Sequence, residues 1–298
     1  MIGNASKLMC WPDRLAAYWA SSPVIPVTVE IQVTNRCNQS CVYCPGGSAG
    51  DMSQRDLAVI MAQCSELGVG GLVFSGGGEP LLSGAMRCRK HLPSGLITNG
   101  SIPMPREFWA QFDWVRFSVD SCVPEEYQAI RGVPMPECLE PNIRAAARVT
   151  TAGVQAVVTG LPVDLDKLAR FAKDCGAEYL HIRPREGAVP GFILPVSPVD
   201  GLEIISRSDK FRKQTGRCVA GNFIMTIAPD LKCYVCACAG ARRVLVGDLT
   251  EETLRDVVMG ERRAAALGHA DTALCPPGCK GLGINLELES CWKHSLFL

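Results

Sequence analysis

The sequence predicts an α/β protein, because short β-rich segments alternate with helical patterns along most of the chain. Six such segments occur between residues 27 and 186, and helical crossovers between them favour parallel pairing. Cysteine-rich and glycine-rich motifs directly follow the first two, which is where parallel barrels place their chemistry. A cysteine-dense tail comes last. These observations predict a partial (β/α)6 barrel, similar to a TIM barrel, followed by a small C-terminal α+β extension.

The segments of the predicted barrel are assigned from periodicity and from turn residues at their ends. The predicted strands are Val27–Val33, Gly71–Phe74, Gly95–Thr98, Val115–Val119, Gln155–Thr159 and Tyr179–Ile182. The predicted helices are Ser53–Leu67, Ser83–His91, Pro105–Gln111, Pro124–Arg131, Pro141–Thr151 and Leu165–Cys175.

Four regions follow from this assignment. Residues 1–26 form an N-terminal lead whose helix, Leu8–Ala20, is interrupted at Pro12. Residues 27–186 form the barrel. Residues 187–217, rich in Pro and Gly, read as a linker with one short helix at Pro198–Ser206. Residues 218–298 form the extension, with a hairpin of Phe223–Ala228 and Lys232–Val235, a third segment at Val244–Leu249 and a helix at Glu251–Leu267.

Two motifs carry the chemistry. The first, Cys37-Asn38-Gln39-Ser40-Cys41-Val42-Tyr43-Cys44, follows the first strand. Three thiolates on one loop can bind three irons of a [4Fe–4S] cluster, which leaves one iron without a protein ligand. The second, Gly76-Gly77-Gly78-Glu79-Pro80, follows the second strand. Its glycines let the backbone approach a ligand closely, and its Glu-Pro pair supplies an acceptor and a turn.

Together the two motifs resemble those of the radical S-adenosylmethionine (radical SAM) superfamily. The resemblance implies that the three cysteines bind the cluster and that the amine and carboxylate of SAM chelate the fourth iron. It also implies a set of residues that line the SAM site. The cluster ligands are Cys37, Cys41 and Cys44, and the SAM-lining residues are Tyr43, beside the adenine, and Gly77, Gly78 and Glu79.

Polar residues at further strand ends extend this site. Asn99 and Ser118 resemble family positions that contact the SAM ribose or carboxylate, although Asn99-Gly100 also has the character of a turn. Arg131 is suited to pair with the SAM carboxylate, or it is a charge at a helix C-terminus before Gly132.

Alternation along the strands places other polar side chains in the barrel lumen. His181 and Arg183 share one face of the sixth strand, and Arg183 and Arg185 are candidates for substrate contact. His181 is read as a packing residue more readily than as a catalytic one. Glu30 and Gln32 alternate inward on the first strand.

The tail resembles the SPASM/twitch extension of many radical SAM enzymes. Seven of the sixteen cysteines lie in residues 218–298. The resemblance implies one auxiliary [4Fe–4S] cluster, with Cys291 as a replacement for one of the last two ligands and the roles of Cys233 and Cys238 open. Its ligands would be Cys218, Cys236, Cys275 and Cys279.

A zinc ribbon is the alternative for the same tail, because four thiolates also suit zinc. Its ligands would be Cys233, Cys236, Cys275 and Cys279. The cluster loop upstream favours iron–sulfur ligation. The single cysteines read as buried small hydrophobic residues, namely Cys64, Cys88, Cys122, Cys138 and Cys175, and Cys10 with Trp11 reads as a core contact.

Composition excludes several classes of function. Formal net charge is zero, and no basic field indicates a nucleic-acid partner. No run of eighteen apolar residues predicts a membrane span. Without a secretory signal, the chain is expected in the cytoplasm, where thiols stay reduced and available for metal ligation.

The resemblance implies reductive cleavage of SAM to a 5′-deoxyadenosyl radical that abstracts a hydrogen atom from the substrate. An auxiliary cluster favours oxidation of a small polar substrate in specialised metabolism, with a reductant such as flavodoxin or ferredoxin. Only 26 residues precede the first strand, so we expect no leader-binding domain, although a peptide substrate remains a rival. A non-enzymatic iron–sulfur or zinc-binding protein is the alternative from another class.

Overall fold

A computed structural model describes residues 5–44, 46, 50–185, 195–207, 216–237, 244–272, 275, 277 and 279–293. Ten strands are present in this part of the chain: β1 Thr28–Gln32, β2 Gly71–Ser75, β3 Ser94–Thr98, β4 Trp114–Ser118, β5 Thr151–Val158, β6 Tyr179–Pro184, β7 Glu203–Ser206, β8 Ile224–Ile227, β9 Lys232–Tyr234 and β10 Leu245–Asp248. Its α-helices are α1 Pro12–Trp19, α2 Gln54–Leu67, α3 Arg106–Trp109, α4 Pro124–Arg131, α5 Leu139–Ala147, α6 Leu165–Asp174, α7 Leu254–Met259, α8 Glu261–His269 and α9 Leu282–Lys293.

All ten strands belong to one sheet in the order β10-β9-β8-β1-β2-β3-β4-β5-β6-β7. Strands β1 to β7 pair in parallel, as the alternation of strands and helices predicts. The predicted α/β partial barrel is therefore confirmed. Its six predicted strands are all present, with ends that differ by a few residues.

The prediction of a helix at Pro198–Ser206 is wrong. Residues Glu203–Ser206 instead form β7, which pairs in parallel with β6. Asp200-Gly201 precedes it, with Gly201 at a φ of 68°, and the adjacent isoleucines suit a pleated surface. The segment becomes a strand because it pairs with the edge of β6, and that edge exists only in the assembled sheet. Cys238 and much of the predicted linker lie outside the described residues.

The C-terminal hairpin is confirmed as antiparallel β8 and β9, with β10 beside β9. Strand β8 also pairs in parallel with β1, so the extension continues the barrel sheet on the side opposite β2. The single helix predicted at Glu251–Leu267 is two helices, α7 and α8. They are separated at Gly260, whose backbone is extended, and α7 begins with a capping box between Thr253 and Asp256.

Three smaller differences concern helices. The segment predicted as a helix at Ser83–His91 contains only a 3-10 turn, Gly84–Arg87. The helix predicted at Pro141–Thr151 is α5, which ends at Ala147, and β5 already begins at Thr151. Helix α9 was not predicted; its Leu288 lies in one small hydrophobic cluster with Leu8 of the N-terminal segment and with Phe223.

The cysteines outside the proposed metal sites divide by burial. Cys64, Cys88 and Cys175 are buried as predicted, whereas Cys122 and Cys138 are half-buried. Cys10 is exposed, so its assignment as a core contact is wrong. None of the described helices has the length and apolar character that crossing a membrane requires.

Two glycines make room for aromatic rings inside the barrel. A Cβ on Gly95 would lie 2.0 Å from the Trp114 ring, and a Cβ on Gly153 would lie 2.1 Å from the Tyr179 ring. Gly153 pairs with Tyr179 across β5 and β6 and with Arg116 across β4 and β5. The Trp114 and Tyr179 rings occupy the space that side chains at positions 95 and 153 would otherwise fill.

We predict that Gly153→Ala destabilises the protein by about 1–3 kcal/mol, because the new methyl group overlaps the Tyr179 ring. Urea unfolding measures the change. Gly268→Ala is the control, since a Cβ there meets nothing within 4 Å and the residue lies in α8. Equal stability of the two variants would contradict the packing described.

Candidate cluster and cofactor site

The loop that carries the first three cysteines is docked on the end of α4. The Ser40 amide donates to the Arg131 carbonyl at 3.0 Å, and the Val42 amide donates to the Ile130 carbonyl at 3.0 Å. Gly132 ends α4 with a φ of 70°, and a Cβ at that position would lie 2.2 Å from the Ser40 hydroxyl. The helix end therefore approaches the loop closely because Gly132 has no side chain.

The three thiols of this loop lie near one another at the carboxyl ends of the strands. Cys37 and Cys44 are exposed and Cys41 is half-buried. Burial raises the pKa of both Cys37 and Cys41, and the charge of Cys44 raises it further in each case. Cys44 thus interacts with each of the other two thiols, and three thiols on one loop fit the donor set of a three-ligand cluster.

A buried ion pair lies directly beneath the loop. Arg131 Nε lies 2.7 Å from Asp120 Oδ2, with side chains that are 4% and 0% exposed. Asp120 also accepts hydrogen bonds from the Tyr43 hydroxyl at 2.9 Å and from the Val157 amide at 2.8 Å. The pair thus joins the cysteine loop, α4 and the ends of β4 and β5.

The Arg131 guanidinium also contacts the loop itself. Its Nη1 donates to Gln39 Oε1 at 3.3 Å and to Cys41 Sγ at 3.8 Å. It lies 5.9 Å from the ring centres of both Tyr43 and Tyr127. The interpretation of Arg131 as a ligand of the SAM carboxylate stays a prediction, and the structure adds these intramolecular partners.

The glycine motif after β2 packs against the loop after β1. A Cβ on Gly77 would lie 2.2 Å from Asn35 Oδ1, and one on Gly78 would lie 2.0 Å from the Arg36 carbonyl oxygen. The Gly78 amide donates to the Thr34 carbonyl at 3.0 Å, and the Glu79 amide donates to the Arg36 carbonyl at 2.8 Å. Only residues without a side chain allow this approach.

Glu79 links the glycine motif to the end of β3. Its Oε1 accepts from the Thr98 hydroxyl at 2.6 Å and from the Leu81 amide at 3.0 Å, and its Oε2 accepts from the Asn99 amide at 2.6 Å. Burial raises the pKa of Glu79, and these donors and Arg131 oppose that rise. The side chain is 2% exposed, so both of its oxygens serve the fold around the predicted SAM site.

Asn99 connects this region back to the cysteine loop. Its Nδ2 donates to Asn38 Oδ1 at 2.9 Å, and Asn38 Nδ2 donates to the Ser101 hydroxyl at 2.7 Å. Asn99 Oδ1 accepts from the Ser101 amide at 2.9 Å, which is the turn role that the Asn-Gly pair suggests. Asn99 therefore has a structural role beside its predicted cofactor role.

Ser118 lies at the end of β4, opposite Gln155 on β5, on the face that also carries Arg116. Gln155 Oε1 lies 3.1 Å from His181 Nδ1, which in turn lies 3.1 Å from Arg116 Nη1. His181 is 7% exposed. This polar network crosses the lumen beneath Ser118.

Glu30, on β1, connects the lumen to the C-terminal extension. Lys280 Nζ lies 2.9 Å from Glu30 Oε2, and the Ser75 hydroxyl donates to Glu30 Oε1. Burial raises the pKa of Glu30, but Lys280, Ser75 and Arg116 lower it, and the net result is a lowered pKa. The residue after Cys279 is thus in contact with the barrel interior.

A second group of thiols lies in the extension. Burial raises the pKa of Cys218, and the charges of Cys279 and Cys236 raise it further. A hydrogen bond with Cys279 and burial raise the pKa of Cys275, and the charges of Cys279, Cys218 and Cys236 add to that rise. These are the four cysteines that the SPASM/twitch resemblance implies. The Gly281 amide donates to Cys279 Sγ at 3.3 Å, and Asn285 on α9 is hydrogen-bonded to Cys218.

The zinc alternative requires Cys233, which lies elsewhere. Cys233 is 0% exposed in the main hydrophobic core, where burial and then the charge of Cys64 raise its pKa. Within the described part of the chain, no three His, Cys, Asp or Glu side chains are arranged to hold one metal ion. A cluster places each thiolate on a different iron, so its ligands do not surround one position.

Sequence reasoning did not assign Gln39, Tyr127, Lys280 or Asn285 to either site. Each acts by contacting a residue far away in sequence; Lys280 and Glu30, for example, are 250 positions apart. The pairing of Asp120 with Arg131 was also not predicted. A buried acid and base near the same strand ends would have been the available signal.

Comparison with known proteins agrees with this arrangement. Residues 31–175 match the family model described as the radical SAM superfamily. Residues 31–175 therefore resemble a radical SAM domain. The matched range includes the cysteine loop, the glycine motif, Asp120 and Arg131, and it ends before the C-terminal extension.

The curated relatives are described as probable GTP 3′,8-cyclases. One, from Methanosarcina mazei, is 31% identical over 146 residues, covering 43% of this chain and 43% of the relative. Another, from Methanosarcina acetivorans, is 28% identical over 176 residues, covering 51% and 52%. The chain spans about half the length of these curated relatives.

Solved structures share the fold. The structure of Streptococcus suis SuiB bound to S-adenosylmethionine has a TM-score of 0.67 at 14% identity, covering 89% of this chain and 73% of that one. Native anSMEcpe with bound AdoMet has a TM-score of 0.59 at 16% identity, covering 81% and 82%. In both cases the likeness covers more than four fifths of this chain.

We predict that Glu79→Gln lowers the free energy of unfolding by about 1–3 kcal/mol, because an amide replaces one buried acceptor with a donor that faces other donors. Thermal and urea unfolding measure the loss. Glu137→Gln, at an exposed position, is the control and should change stability by less than about 0.5 kcal/mol. A neutral Glu79→Gln would contradict the three-donor arrangement.

We predict a coupling energy of about 0.5–1 kcal/mol between Lys280 and Glu30 in a double-mutant cycle of Lys280→Met and Glu30→Gln. The partly buried carboxylate strengthens the pair relative to a surface one. The matched control is Lys232→Met with Asp230→Asn, an exposed pair at 3.7 Å, whose coupling should be near zero. Equal coupling in both cycles would show that Lys280 does not attach the extension to the lumen.

Proposed function

We propose that this chain binds a [4Fe–4S] cluster through Cys37, Cys41 and Cys44, binds SAM beside it, and abstracts a hydrogen atom from a small polar substrate. When bound, the cluster and SAM together supply a 5′-deoxyadenosyl radical that removes hydrogen from an unactivated C–H bond. The observation that carries the proposal is the contact of the glycine motif with Thr34, Asn35 and Arg36, the residues that lead into the three-thiol loop. Thiols and open backbone at one edge of a parallel sheet support a cofactor site there.

The chain's own residues would bind and orient the cofactor. Gly77 and Gly78 bring backbone groups against Asn35 and Arg36, just before the cysteine loop, and Glu79 fixes their position relative to β3. Tyr43, Asn99, Ser118 and Arg131 complete the proposed SAM site. Trp114 and Tyr179 fill the space beside Gly95 and Gly153 and so help to exclude water from the lumen.

The polar lumen supports a small polar substrate. Arg116, His181 and Gln155 form a hydrogen-bonded row, and Glu30 on β1 pairs with Lys280 of the extension. Oxidation of that substrate would need an electron acceptor. We propose that Cys218, Cys236, Cys275 and Cys279 hold a second [4Fe–4S] cluster in this role, supported by the influence of their charges on one another's pKa and by the Gly281 amide, which donates to Cys279 Sγ. A flavodoxin or ferredoxin would serve as the reductant.

Two other substrate classes each have an observation in their favour. The curated relatives are described as probable GTP 3′,8-cyclases, which favours a guanosine nucleotide. A structure that shares the fold, SuiB, has been determined with its precursor peptide SuiA, which favours a peptide. Binding assays with GTP and with candidate peptides, run beside small polyols and amino sugars, separate these three classes.

We predict that anaerobically reconstituted protein contains about eight irons per chain, four in each cluster, and releases 5′-deoxyadenosine when SAM and dithionite are added. Cys41→Ala should lose about half of the iron and all 5′-deoxyadenosine. Cys218→Ala should lose about half of the iron and retain SAM cleavage.

Cys10→Ala is the control, because Cys10 is exposed and lies outside both thiol groups. It should retain the full iron content and full SAM cleavage. Wild-type protein that binds zinc and no iron would overturn the proposal. Wild-type protein that holds iron but leaves SAM intact would favour a non-enzymatic iron–sulfur protein.

A further inference from the structure

The Arg131 side chain places a buried positive charge against one sulfur of the cysteine loop. The residue is 3% exposed, and its Nη1 lies 3.8 Å from Cys41 Sγ. Burying a charge is costly unless a partner compensates it, so a position like this is maintained by specific contacts. Here the partners are Asp120 and the faces of two tyrosine rings.

Holding the loop does not by itself require this charge. The loop is docked by main-chain hydrogen bonds from Ser40 and Val42 to the carbonyls of Arg131 and Ile130, and any residue could supply those carbonyls. Gly132 provides the close approach to Ser40. The guanidinium therefore adds a positive charge beside Cys41, which the backbone contacts do not supply.

The charge acts on one thiol more directly than on the others. Cys41 receives an arginine N–H, whereas Cys37 and Cys44 receive none from the described residues. Arg131 Nη2 is buried and has no hydrogen-bond partner among the described residues. The positive charge thus has Asp120 as its ion-pair partner and otherwise faces the loop.

Reduction adds one negative charge to a cluster, and cluster potentials respond to hydrogen bonds at the sulfurs and to nearby charge. A buried cation at the Cys41 sulfur favours the reduced form. Asp120, whose Oδ2 lies 2.7 Å from Arg131 Nε, opposes it in part. In a low-dielectric surrounding both effects exceed what they would be in water.

We propose that Arg131 and Asp120 together set the reduction potential of the cluster held by Cys37, Cys41 and Cys44, with Arg131 raising it through Cys41 and Asp120 lowering it. The inference rests on the proposed function, because it presupposes that these cysteines bind a cluster. Arg131 is a positioning and tuning residue in this proposal, since it acts through Cys41.

The test is a redox titration, followed by electron paramagnetic resonance, of anaerobically reconstituted full-length protein without SAM. Arg131→Met should lower the potential, and Asp120→Asn should raise it. Arg131→Lys keeps the charge with a shorter reach and should fall between wild type and Arg131→Met. Arg144→Met is the control, because Arg144 is exposed on α5 and pairs with Glu140; it should not shift the potential.

Opposite shifts distinguish charge from scaffolding. If the ion pair only holds the loop in place, Arg131→Met and Asp120→Asn break the same contact and shift the potential in the same direction or not at all. That result would overturn the inference. If Arg131→Met loses the cluster, the comparison of Arg131→Lys with Asp120→Asn decides, since an unshifted Asp120→Asn also overturns it.

A role confined to SAM is separated by a second measurement. If Arg131 acts only by pairing with the SAM carboxylate, Arg131→Met weakens SAM binding and leaves the SAM-free potential unchanged, which contradicts the tuning role. Failure of the proposed function has a different signature, because wild-type protein would then show no cluster signal. A wild-type signal with unshifted variants removes only the present inference.

Discussion

The site depends on the close approach of two loops that follow neighbouring strands. Gly77 and Gly78 lie so near Asn35 and Arg36 that a Cβ on either glycine would overlap the facing atoms. Main-chain hydrogen bonds from Gly78 and Glu79 to the β1 loop accompany this contact. The cysteine loop begins immediately afterwards, so its position relative to the sheet is set by backbone packing before any thiol takes part.

Two buried carboxylates extend that contact across the carboxyl edge of the sheet. Glu79 joins the β2 loop to the end of β3, and Asp120 joins the end of β4 to the cysteine loop and to Arg131. Each carboxylate satisfies several donors, which makes its burial tolerable. The strand ends around the proposed cofactor site are therefore connected through polar groups rather than through apolar packing.

The extension is part of the same sheet. Strand β8 pairs with β1. Lys280, the residue after Cys279, forms an ion pair with Glu30 on β1. The second group of thiols is thereby held on the side of β1 that lies away from β2. This arrangement supports the proposal that the barrel abstracts hydrogen and that the thiols of the extension hold an electron acceptor.

The order of strands and helices, the three-cysteine spacing and the glycine motif could be predicted from sequence, because each is a local pattern with a local physical cause. The contacts of Arg131, the core position of Cys233 and the pairing of β8 with β1 could not. Spacing alone makes Cys233 as good a ligand as Cys236, and only the sheet directs the first into the core with Cys64. Local patterns therefore indicate which groups are available for chemistry, whereas the fold sets which side chains meet, because those contacts join residues separated by as many as 250 positions.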